Sequence, residues 1–267
     1  IIFTVEVTTA QHTLNRLLLL LLLSLPLLGY TARQASPITA AMRLAIPSYF
    51  YPGALWAQAE THAETEVLII NPNSGPGLQA DPNYAKVVAD CRAKGINILG
   101  YVHTTYGNRK IDDVLREVTS YQAFYPALSG IFLDETPGTH ASASAVSFYK
   151  QVTAHIRAAF PNAYVAMNPG TNTDEVFSSL ADALMIFEGN LPSFRAWQPS
   201  PWVRRHPPAR FWVVVYSVDA EADMRACVSG ARAAGVGLVY VTDAGLPNPW
   251  ASLPPYFAAL AGAVRSE

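Results

Sequence analysis

Across 267 residues the chain is 51% hydrophobic and 11% aromatic but only 14% charged, enough apolar material for one large domain with a buried core. Eighteen Lys and Arg against 20 Asp and Glu leave a formal net charge of −2, which excludes the long-range field that draws proteins to nucleic acid or anionic membranes. A neutral ligand fits this balance.

In chain order the first feature is Arg16, followed from Leu17 by "LLLLLLLSLPLLG" and then by the small and polar "YTARQASP". A membrane-spanning helix needs roughly 20 apolar residues. This run is shorter and broken by Pro26, so it matches a secretory h-region. Residues 1–36 are therefore expected to be a leader, cleaved between Gly29 and Pro37 and directing the protein outside the cell. An uncleaved membrane anchor is the alternative.

From residue 37 to 267 short aliphatic runs alternate with helical patterns. The runs are "RLAIP" (43–47), "VLIIN" (67–71), "INILGYV" (96–102), "GIFLD" (130–134), "AYVAMN" (163–168), "ALMIFE" (183–188), "FWVVVY" (211–216) and "GLVYVTD" (237–243). Near-continuous apolar strands imply burial on both faces, as in parallel sheets covered by helices. Between them, Ile111, Val114, Leu115 and Val118 repeat at the helical period, as do Val146, Tyr149, Val152, Ile156 and Phe160. A third helix over 220–234 ends at Gly235, suited to a left-handed cap. Cys91 and Cys227 lie in helical patterns without zinc or redox spacing and are expected to be free, buried thiols. Eight units in roughly 230 residues predict a single (β/α)8 TIM-type barrel. An open doubly wound sheet fits less well, because "IPSYFYPG" after the first strand is not a Gly-rich phosphate loop.

In such a barrel the C-terminal strand ends form the active face. The polar or aromatic residues there are Tyr49, Asn71, Tyr101, His103, Asp134, Glu135, Asn168, Glu188, Tyr216 and Asp243. Asp134 and Glu188 carry the chemistry in this reading. They sit on strands separated by one neighbour, about 9–10 Å apart, so inward-leaning carboxyls approach to the width needed for acid-assisted cleavage of a glycosidic bond. Adjacent strand residues face opposite ways, so Asp134 and Glu135 share the tube only if the strand ends there; the Thr136-Pro137-Gly138 turn suggests that it does. The bland alternative is that Asp134 caps the helix that follows. Tyr49, Tyr101 and Tyr216 are preferred over the tryptophans as sugar-facing rings, because position at a strand end is the stronger signal.

The ordered motifs "IPSYFYP", "NPNSGPG", "GYVHTTYG", "GIFLDE" and "MIFEGN" resemble those of the spherulin-4-like (spherulation-specific) family, glycoside hydrolase family 135, from about Leu44 to Asp243. The resemblance implies a (β/α)8 endo-glycosidase cleaving α-1,4-linked N-acetylgalactosamine in exopolysaccharides such as galactosaminogalactan. It matches the family's acids to Asp134, Glu135 and Glu188. It implies Asp134 as nucleophile or stabiliser and Glu188 as general acid/base, with Glu135 as third member, able to exchange roles with Asp134. The remaining strand-end residues, Tyr49, Asn71, Tyr101, His103, Asn168, Tyr216 and Asp243, are read as substrate-binding. The expected partner is a polysaccharide, with no cofactor, no metal and no nucleic acid, and a monomer is expected. Two other readings stand beside this one. One is a barrel that binds carbohydrate without turning it over. The other is a metal-dependent hydrolase or deacetylase built on His103, Asp134 and Asp243, disfavoured by the absence of HxH or HExxH spacing.

Overall fold

The computed structural model describes residues 41–265, and the leader expected over 1–36 lies outside them. The eight aliphatic runs form eight parallel strands: β1 (Arg43–Ile46), β2 (Thr65–Ile70), β3 (Asn97–His103), β4 (Gly130–Asp134), β5 (Tyr164–Met167), β6 (Ala183–Asn190), β7 (Phe211–Tyr216) and β8 (Leu238–Val241). They close in sequence order, β1 pairing with β8 through Arg43 opposite Leu238. Closure removes the open-sheet alternative.

Helices cover the outside: α1 (Ala54–Ala59), α2 (Pro82–Ala93), α3 (Ile111–Phe124), α4 (Ala143–Ala159), α5 (Leu191–Ala196), α6 (Glu221–Ala233) and α7 (Phe257–Arg265). Between β5 and β6 a 3₁₀ segment, Glu175–Ser179, makes the crossover instead. The α3 stripe buries Val114, Val118 and Tyr121 against the barrel. There Gly100 leaves room for the Tyr121 ring, which would lie 2.7 Å from an added Cβ. Helix starts follow local chemistry. Asp81 accepts from Asn83 N with Pro82 in the first turn, and Ser142 Oγ accepts from Ala145 N to cap α4, caps of about 1 kcal/mol each. Because Ser142 serves α4, Asp134 is not a helix cap. Cys91 and Cys227 are buried and free. No helix among the described residues is long and apolar enough to cross a membrane.

Strand register fixes which side chains face inward. Phe132 on β4 and Trp212 on β7 belong to non-neighbouring strands, yet their rings meet at 5.7 Å, so they meet inside the barrel. Side chains alternate along a strand. Asp134, two residues beyond Phe132, is therefore inward, as are Tyr101 and Ala166, which pair with Phe132, and His103, which pairs with Asp134. On β6, Met185 pairs with inward Trp212 and Glu188 with Val214. Residues three apart on a regular strand face opposite ways, but Ile186 is an extra residue where the register shifts. This bulge turns Glu188 back into the tube, the re-aiming for which bulges recur beside active sites.

Candidate active site

Asp134 ends β4 at the mouth of the barrel, with its carboxylate held from several sides. Tyr101 OH donates to Asp134 Oδ2 at 2.8 Å, and Asn168 Nδ2 donates to Oδ1 at 2.8 Å. The same Asn168 Nδ2 donates to Glu188 Oε2 at 2.6 Å. The two acid oxygens therefore lie no farther apart than those two distances laid end to end, about 5.4 Å. Asn168 is itself fixed, its Oδ1 accepting from Gly170 N at 2.7 Å, while Gly170 O accepts from Glu188 N at 2.9 Å. Gly170 adopts φ +65, a left-handed conformation that costs glycine least.

Burial raises the proton affinity of both acids. For Asp134 the upward push is opposed by Tyr101, the Glu135 backbone N–H and Asn168, with the Glu135 charge pushing up again. For Glu188 burial is opposed by Asn168 and then reinforced by the Asp134 charge, and a further donor, the Trp250 side chain, lowers it. Three donors thus favour ionised Asp134, and two favour ionised Glu188.

Tyr49 joins the pair. Its ring meets Tyr101 edge-on at 5.5 Å, and its hydroxyl is held neutral, first by burial and then by the charges of Asp134, Tyr101 and Glu188. Tyr216 ends β7 with its ring against Trp250 at 6.2 Å. His103 O accepts from Arg109 Nη1 at 2.8 Å, and the same guanidinium reaches Glu117. Asn71 Oδ1 is taken by Gly75 N at 3.0 Å.

Glu135 and Asp243 make their hydrogen bonds outside the bridged pair. Glu135 lies beyond the strand at φ +53, and its Oε2 accepts from Thr105 N at 3.1 Å in the loop after β3. Asp243 lies two residues past the end of β8, its Oδ1 3.5 Å from Thr242 Oγ1, and its charge acts on Tyr240 and Tyr256. Among the described residues no three His, Cys, Asp or Glu side chains converge as metal ligands. Among the tryptophans, Trp56 donates to Phe50 O, Trp202 donates to Thr173 O, and Trp197 stacks on Phe194 in the helical layer. The one that reaches the acids is Trp250, in the loop after β8. Sequence reasoning missed it, because a loop carries no periodicity from which its direction is read.

The fold and site are those of a (β/α)8 barrel with two acids joined through one amide at its C-terminal mouth. The chain belongs to spherulation-specific family 4, whose profile matches residues 43–264. It is 35% identical over 239 residues to Spherulin-4 of Physarum polycephalum, covering 84% of this chain and 70% of that protein. Aspergillus clavatus Sph3, solved in complex with GalNAc, superposes with a TM-score of 0.75 at 25% identity, covering 85% of this chain and 98% of that one. A beta-galactosidase from the psychrophilic Marinomonas ef1 shares the fold alone. Its TM-score is 0.55 at 11% identity, over 84% of this chain and 58% of its own.

Proposed function

We propose that this protein is an exported, endo-acting glycoside hydrolase that cleaves α-1,4-linked N-acetylgalactosamine or galactosamine in exopolysaccharide, with retention of configuration. The observation that carries the reading is the pair of acid oxygens within about 5.4 Å of one another across Asn168. Retaining enzymes hold their carboxyls about 5–5.5 Å apart, whereas inverting ones leave about 6.5–9.5 Å for a water. The GalNAc bound by the related Sph3 supports the sugar class.

The chemistry follows from the two environments. Glu188, whose proton affinity is raised by burial and, after the opposing Asn168 bond, by the neighbouring Asp134 charge, gives its proton to the glycosidic oxygen as the bond to the anomeric carbon breaks. Asp134, where burial pushes the proton affinity up and bonds from Tyr101, the Glu135 N–H and Asn168 oppose it, attacks that carbon as the carboxylate and forms a glycosyl ester, and the aglycone leaves as an alcohol. Glu188, now a carboxylate, takes a proton from water. The resulting hydroxide oxygen attacks the anomeric carbon and releases the Asp134 carboxylate. Tyr49 and Tyr216 line the mouth as faces and hydroxyls for sugar.

The test is incubation of purified protein with galactosaminogalactan, reading released oligosaccharides. D134N and E188Q are each expected to lower the rate by at least ~10³-fold. Wild-type release by both variants would end the assignment.

A further inference from the structure

The loop after β3 is built in a way that the acid pair does not explain. Thr105, Tyr106 and Gly107 adopt φ of +47, +57 and +82 in succession, a run that ordinary side chains avoid. Residue 135 clamps it. Glu135 Oε2 accepts from Thr105 N at 3.1 Å, and Glu135 O accepts from Tyr106 N at 2.6 Å and from Thr104 Oγ1 at 2.9 Å. Glu135 is itself left-handed at φ +53. Strain held by convergent bonds beside an active site points to a side chain being put somewhere.

That side chain is Tyr106. The residue is 55% exposed, and among the described residues neither its ring nor its hydroxyl has a ring or hydrogen-bond partner. Tyr51, exposed to a similar degree on the same rim, contrasts with it: the Tyr51 hydroxyl is bonded to Asp81 and Asn83, and its ring packs on Tyr84. The Tyr106 backbone is one hydrogen bond from Glu135, which is one residue, about 3.8 Å, from Asp134.

We infer that Tyr106 is a sugar-stacking platform for a residue of the polysaccharide next to the one being cleaved, and that Glu135 is the positioning residue that holds it there and not a participant in proton or glycosyl transfer. The inference rests on the hydrolase reading above. An uncommitted aromatic face at the rim matches the apolar C–H face of a pyranose, and the strained turn presents it without a closing motion.

Kinetics on galactosaminogalactan test this with Y106A, Y106F, E135Q and E135A, beside D134N. Y106A is expected to raise KM about tenfold with kcat within about threefold, and Y106F, which keeps the ring, restores KM. E135Q keeps an oxygen for Thr105 N and is expected to keep the wild-type KM, whereas E135A reproduces the Y106A rise in KM. Unchanged KM in Y106A would remove the platform. Loss of kcat in E135Q would put Glu135 in the chemistry and overturn its positioning role, whether or not E135A folds. D134N separates the two readings. Activity surviving in D134N defeats the hydrolase reading, whereas inactive D134N with wild-type KM in Y106A defeats only this inference.

Discussion

Asn168 does two things with one amide nitrogen: it fixes the distance between Asp134 and Glu188, and it lowers the proton affinity of both. N168A is expected to lower kcat about 10²-fold. With its donor gone, both carboxyls hold their protons to higher pH, so the acidic limb of the pH–rate profile moves upward; a limb moving downward would contradict the bridge. The same residues have a stability signature. Glu188 is raised above its ordinary value of 4.5 in the fold, so the native state binds more protons than the unfolded chain in the window between the two values. Stability contributed by this group is full below about pH 4.5 and is lost as pH rises through the folded value. E188Q, which keeps an oxygen for Asn168, is therefore expected to melt higher than wild type at pH 7, with the gain vanishing near pH 4. An equal gain at both pH values would show that the acid is not destabilised by its site.

At the level of elements, the strands were readable because parallel strands buried on both faces leave a continuous apolar signal, as in "GIFLD" and "FWVVVY". Alternation along β4 said only that Asp134 and Glu135 face opposite ways while the strand lasts; which of them is inward shows in the contact of Phe132 with Trp212 across the barrel. The Ile186 bulge was not, because one extra residue in "ALMIFEGN" leaves its apolar character unchanged while reversing the direction of Glu188. The turn of Glu135 toward Thr105 and the arrival of Trp250 from the loop after β8 depend on tertiary contacts and have no local pattern. Two glycines separate fold from site. Gly100 faces α3, and G100A would bring a methyl to within 2.7 Å of the Tyr121 ring, an overpacking of about 1–3 kcal/mol. Thermal melts are expected to show that loss with kcat of the folded protein unchanged. Gly170, at φ +65 with Asn168 and Glu188 bonded to it, behaves differently. G170A is expected to cost about 1 kcal/mol and also to lower kcat, since the strain falls on the acid pair. Equal kcat in the two variants would contradict this division.

Over the whole molecule the barrel separates its labours: a sealed ring core of Phe132 and Trp212 beneath, and above it a mouth where polar groups collect. Closure brings strand ends far apart in sequence, Tyr49, Tyr101, Asp134, Asn168, Glu188 and Tyr216, around one opening, with Trp250 following from β8. The chain belongs to spherulation-specific family 4, and the same barrel is found in Sph3, solved in complex with GalNAc. In the mechanism proposed above, Asp134 and Glu188, with acid oxygens within about 5.4 Å of one another across Asn168, act as nucleophile and acid/base. Proton NMR of the first product formed from a defined α-1,4-linked galactosamine oligosaccharide tests it most directly, because the anomer is observed before it equilibrates. Retention predicts the α-anomer. The β-anomer as first product would contradict it.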